Sequence, residues 1–179
     1  MTSNRPRFAL LAISALALAM VTSACTSADN DPADGHEVDS ADAELAPGFA
    51  VRTESGEVFS LDEHLANDGR PVFLNLWAAW CFPCREEMPA IDRASKAHPE
   101  VLFIGVDVRD TTSAAEKFLE EIDISYLIGF DDEDTVDSDY QPLGLPASYI
   151  ISPEGAIVER IFGVVTEADL AEKFASHFG

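Results

Sequence analysis

The sequence predicts an α/β domain: a mixed central sheet with helices on both faces and a β-hairpin at its N-terminal side. Three observations carry this. Residues 72–77 and 101–108 are continuous apolar runs of strand length, as expected for strands buried on both faces. Each is followed by a stretch with helical spacing. Near the C-terminus two further strand-like runs flank a turn sequence, Ser152-Pro153-Glu154-Gly155.

The elements follow in order. Residues 49–52 and 57–60 flank Ser55-Gly56 and read as the hairpin. Residues 62–67 suit a short helix. Residues 72–77, Val-Phe-Leu-Asn-Leu-Trp, form the first central strand, and 84–98 the helix after it, with Pro89 predicting a kink. Strand 101–108 leads into helix 113–122, whose Ala114, Ala115, Phe118, Leu119 and Ile122 share one face. Strands 148–151 and 157–162 come next. Thr166 opens a last helix, with Asp169 three residues on where a capping box usually has Glu.

This domain, 48–179, is preceded by two segments of different character. Arg5 and Arg7 begin a leader whose apolar run, 8–21, is fourteen residues, too short for a comfortable membrane span. Thr22-Ser23-Ala24 and then Cys25 follow. This resembles the lipobox of bacterial lipoproteins, with Thr22 where Leu is usual. The resemblance implies a signal peptide over 1–24, lipidation of Cys25, and export to the outer face of the cytoplasmic membrane. An ordinary secretory signal, with Cys25 a bystander, is the plainer alternative, and it also exports the chain. Residues 25–47 are acidic and small, with little to bury, and read as a flexible tether. His36 within it reads as solvated.

The chain has 33 acidic residues against 11 Lys plus Arg, for a formal net charge of −22. That excludes a nucleic-acid partner, whose phosphates require a basic surface.

Cys81 and Cys84 stand in Trp80-Cys81-Phe82-Pro83-Cys84, between the first central strand and its helix. A cysteine at a helix N-terminus lies beside unsatisfied N–H groups and the positive end of the helix dipole, which lowers its pKa. Cys81 is therefore the expected nucleophile. Cys84, inside the first turn, is the expected resolving thiol. Pro83 places its missing N–H where helix donors are unpaired anyway. Zinc is the bland reading of the same spacing, but it needs two more ligands, and His64, His98 and His177 are scattered singly. A structural disulfide without turnover is the other.

Residues 75–89, Asn-Leu-Trp-Ala-Ala-Trp-Cys-Phe-Pro-Cys-Arg-Glu-Glu-Met-Pro, and 144–151, Gly-Leu-Pro-Ala-Ser-Tyr-Ile-Ile, carry a specific resemblance. The chain resembles the thioredoxin superfamily and, within it, the TlpA/ResA-like thiol-disulfide oxidoreductases, over about residues 48–179. The resemblance implies a thioredoxin fold, with no cofactor beyond the redox-active Cys81/Cys84 pair and no metal. It implies a cis peptide at Pro146, facing the dithiol. Trp80, Phe82, Pro83, Leu145 and Pro146 would then line the client groove, while Trp77 is expected in the core. Asn75 stands where cytoplasmic thioredoxins carry a buried Asp. Glu87, three residues after Cys84 and on the same helix face, is by resemblance the acceptor of the Cys84 proton. The plainer alternative is a solvated glutamate like Glu86.

Three other chemistries fit the sequence poorly. Copper-delivery relatives carry a longer cysteine spacing. Peroxiredoxins need a Thr where Ala78 stands. The acidic run Asp131 to Asp139 lacks the Gly and terminal Glu of a calcium loop and reads as a solvated loop and helix start. The resemblance implies reduction of extracytoplasmic client disulfides, of the cytochrome c maturation or metal-site assembly type, with a membrane thiol-electron donor. A disulfide-forming oxidant and a non-catalytic binding module are the rivals.

Overall fold

A computed structural model describes residues 44–179. The leader, Cys25, His36 and the tether up to residue 43 lie outside the described residues. Seven strands form one mixed sheet: β1 (Ala50–Thr53), β2 (Val58–Ser60), β3 (Val72–Trp77), β4 (Leu102–Asp107), β5 (Leu127–Phe130), β6 (Ala147–Ile151) and β7 (Ile157–Phe162). Their order is β2-β1-β5-β4-β3-β6-β7, with β3-β4 and β4-β5 parallel and the other pairs antiparallel. This is the expected thioredoxin fold.

The helices are α1 (Leu61–Asn67), α2 (Phe82–Ala97), α3 (Thr112–Leu119), α4 (Thr135–Tyr140) and α5 (Glu167–Phe178). The core has two layers. One lies between the sheet and α2, α3 and α5, and includes Phe73, Trp77, Met88, Ile91, Phe118 and Phe174. The other lies under α1 and α4, with Leu61, Leu74, Ile104, Val136 and Tyr149. β3 is buried at every position because it has a strand on each side and helices on both faces. Met88 and Ile91 have no exposed surface, and burying each contributes roughly 1.5–3 kcal/mol.

The hairpin, β3, β7 and the capping box Thr166/Asp169 fall where the sequence places them. α2 begins two residues earlier than expected, because Cys81 is its N-cap and Phe82 and Pro83 fill its first positions. It continues through Pro89 to Ala97.

β5 is absent from the sequence reading, which places only a helix start in the acidic run where α4 forms. β5 is four residues, Leu-Ile-Gly-Phe, too short and too interrupted to register as periodic. Gly129 is needed there: a Cβ would lie 2.5 Å from Val51 Cγ2 of the neighbouring strand. α4 has poor helix formers and is held by burial of Val136 and Tyr140. The acidic run ahead of it starts that helix. Asp131 accepts from the N–H groups of Thr135 and Asp137, and Asp132 pairs with Arg52.

Residues 44–47, assigned from sequence to the end of the tether, are attached to the domain. Leu45 bridges Ala156, Ala46 N–H donates to Gly155 O, and Tyr140 O–H donates to Pro47 O. Among the described residues, no helix is long and apolar enough to cross a membrane.

Candidate active site

β3 ends at Trp77, and the chain turns through Ala78-Ala79-Trp80 into α2. Cys81 and Cys84 are joined as a disulfide with Cα atoms 5.3 Å apart. Cys81 Sγ accepts from the backbone N–H of Cys84 at 3.3 Å, so this sulfur occupies the helix N-cap. Cys84 has no exposed surface, while Cys81 retains a trace. Of the two, only Cys81 has any exposed surface.

The peptide Leu145–Pro146 is cis. Register Leu76↔Ala147 brings Pro146 level with Trp77, at the same end of the sheet as the dithiol. Pro146 O accepts from Gly163 N–H at 3.0 Å, which ties its loop to the β7–α5 connection. Trp80 and Phe82 are 61% and 68% exposed, Pro83 and Leu145 are half-buried, and Pro146 is buried. Trp77 is fully buried, as expected of a core residue.

Glu87 is 1% exposed, whereas Glu86 faces solvent. Its Oε1 accepts from Asn75 Nδ2 at 2.8 Å and its Oε2 from Val165 N–H at 2.9 Å. Asn75 Nδ2 also donates to Ser148 Oγ at 3.0 Å. β3 and the entry to α5 thus converge on this carboxyl, and β6 holds Asn75. Burial pushes its pKa from 4.5 up to about 7, outweighing the two hydrogen bonds that favour the anion. Asp92 on the same helix shows the opposite balance. Burial opposes its charge too, but Lys96 and two donors from Ser125 outweigh it and its pKa is lowered.

Four residues that sequence reasoning missed belong to this neighbourhood. Ser148 holds Asn75. Asp110 accepts from Ala79 N–H at 2.7 Å. Arg109 O accepts from the Trp80 indole at 3.0 Å. Asp107 ends β4 beside Trp77, 4% exposed, with Oδ1 unpartnered. Burial, then the charges of Asp110, Asp131 and Asp132, push its pKa up to about 8. The signal for Ser148 and Asp107 was present: each is a polar residue in an otherwise apolar, buried strand.

The three domain histidines are engaged separately, with Arg70 O, Glu100 and Glu159. Among the described residues, no group of three His, Cys, Asp or Glu side chains is placed to hold a metal.

Residues 43–160 match the AhpC/TSA family. The chain belongs to this family. It is 31% identical over 141 residues to the thioredoxin-like protein YneN of Bacillus subtilis, spanning 76% of this chain and 81% of that one. It is 30% identical to the thiol-disulfide oxidoreductase ResA of Bacillus thuringiensis, spanning 71% and 73%. Among solved structures it is similar to StoA of Bacillus subtilis, with a TM-score of 0.61 and 25% identity over 70% of this chain and 95% of that one. MTB DsbF, solved in mixed oxidized and reduced forms, gives a TM-score of 0.65 and 26% identity, over 72% and 93%. The chain is a thiol-disulfide oxidoreductase of the ResA/DsbE type, with a thioredoxin-like fold.

Proposed function

We propose that the protein reduces disulfides in extracytoplasmic client proteins, working from a lipid anchor at Cys25. The observation that carries this is the buried Glu87, one turn along α2 from Cys84, with a pKa near neutrality. A carboxylate there suits proton acceptance at physiological pH, since a general base works best near the operating pH.

The steps balance. The Cys81 thiolate attacks a client disulfide, forms a mixed disulfide and expels one client thiolate. Cys84 gives its proton to Glu87 and attacks Cys81 Sγ. The mixed disulfide breaks, the second client sulfur leaves as thiolate and is protonated, and the Cys81–Cys84 disulfide forms. Two electrons pass from the dithiol to the client. A membrane thiol-electron donor then returns the pair to the reduced form. In this reading an extended client segment adds as a strand beside Leu145 and Pro146, with exposed Trp80 and Phe82 and half-buried Pro83 completing the groove.

Electrostatics favours the reducing direction. A strong oxidant of this fold stabilises its reduced thiolate. Here Glu87 lies one turn along α2 from Cys84, and its carboxylate form opposes a further negative charge. The potential is therefore expected below about −200 mV. The relatives named ResA and DsbE support the class of reaction, and client reduction of the cytochrome c maturation or metal-site assembly type is the extension made from them.

The experiment is trapping. A Cys84→Ala variant expressed in the native host should accumulate mixed disulfides through Cys81, and acid-quenched alkylation should find the wild-type pair largely reduced. A pair found mostly oxidised, with a potential near about −120 mV, would instead establish a disulfide-forming enzyme. No trapped partner and no turnover would leave a binding module.

A further inference from the structure

Arg109 has three connections, one of them to the turn that leads into the dithiol. Its backbone is left-handed, φ 56°, which a non-glycine residue rarely adopts without cause. In that conformation its carbonyl accepts the Trp80 indole N–H at 3.0 Å. Its guanidinium meets both carboxylate oxygens of Asp137 on α4, at 2.8 and 2.9 Å. It also donates to Pro142 O at 3.1 Å, at the start of the loop that leads to cis-Pro146. The next residue, Asp110, holds Ala79 N–H.

Two consecutive residues thus fix the strand-to-helix turn that carries Trp80, and one of them also reaches the cis-proline loop. Trp80 is largely exposed, and its only polar atom is the N–H bonded to Arg109. Nothing in the fold requires an exposed indole to be fixed. An ordinary surface ion pair contributes little to stability, and it would not explain a left-handed arginine whose main chain holds Trp80 while its side chain reaches the loop before cis-Pro146.

We infer that Arg109 is a positioning residue for client docking. It sets the Trp80 ring and the cis-proline loop at the separation that an extended polypeptide disulfide segment needs. This rests on the proposed reductase function. It predicts that polypeptide disulfides and small disulfides part company when the clamp is broken, because a small disulfide needs only the Cys81 sulfur.

Arg109→Gly removes the guanidinium while glycine accepts the left-handed backbone at no steric cost. In the purified full-length protein, KM for insulin should rise about ten-fold, the scale of one lost charge-assisted hydrogen bond. The rate with hydroxyethyl disulfide should stay within about two-fold. Acrylamide should quench indole fluorescence more readily, a signal from Trp80, since Trp77 is fully buried. Asp137→Asn, which cuts the same clamp from α4, should shift KM in the same direction. Unchanged insulin KM in both variants, or equal loss on both disulfides, overturns the inference. A wild-type protein that reduces neither substrate overturns the proposed function, and the inference with it.

Discussion

Replacing Glu87 with Gln should change how stability depends on pH. The oxidised form, in which neither cysteine titrates, isolates the effect. In the folded protein the Glu87 pKa is raised from 4.5 to about 7. A raised carboxyl holds its proton in the folded state after the unfolded chain has released it. Stability from this group is therefore fully present below pH about 4.5 and is lost as pH rises to about 7. At about 1.36 kcal/mol per pH decade, the loss is about 3 kcal/mol.

Gln does not ionise, so it removes this slope. It also fits the site. Its carbonyl can accept from Val165 N–H, and its amide can donate to Asn75 Oδ1, which has no partner in the wild type, once the Asn75 amide turns over. Urea unfolding of both proteins at pH 5 and pH 8.5 should give similar stabilities at the lower pH. At the higher pH, Glu87→Gln should be more stable by about 2–3 kcal/mol. Parallel pH–stability curves would refute the reasoning, because Glu87 would then be solvated in practice. In the reduced enzyme the same variant should slow resolution of the mixed disulfide by roughly ten-fold or more, with Glu86→Gln nearly silent.

Asp107→Asn should also stabilise the oxidised protein, by at least about 2 kcal/mol at pH 8. The folded pKa near 8 costs stability progressively as pH rises from about 4 to about 8, and thermal unfolding showing a variant less stable than wild type at pH 8 would count against it. Cys25→Ala should release the protein from the membrane fraction while leaving insulin reduction by the purified protein intact. Mass spectrometry of the wild-type mature N-terminus should find an acylated Cys25, and an unmodified start elsewhere would remove the anchor.

The dithiol, the cap position of Cys81 and the place of Glu87 beside Cys84 on α2 were legible because each is a local relation. A strand, a three-residue turn and a helix N-terminus place Cys81 at the cap, and helical geometry alone puts Glu87 on the Cys84 face. The cis-proline was legible only through the resemblance of residues 144–151.

What stayed hidden is long-range. Ser148 reaches Asn75 across 73 residues, Val165 reaches Glu87 across 78, and Arg109 reaches Asp137 and Pro142 across 28 and 33. β5 escaped because four residues carry too little pattern, and its place in the sheet is set by its neighbours β1 and β4. The sequence by itself determined the α/β class, the reactive pair and the chemistry, since spacing and helix polarity are properties of a short stretch of chain. Only the tertiary structure decided that Glu87 is buried and shifted, that Asp107 ends its strand with one carboxylate oxygen unpartnered, and that Arg109 joins Trp80 to Asp137 and Pro142. Burial and pairing depend on which distant residues the folded sheet brings together, and no local pattern encodes them.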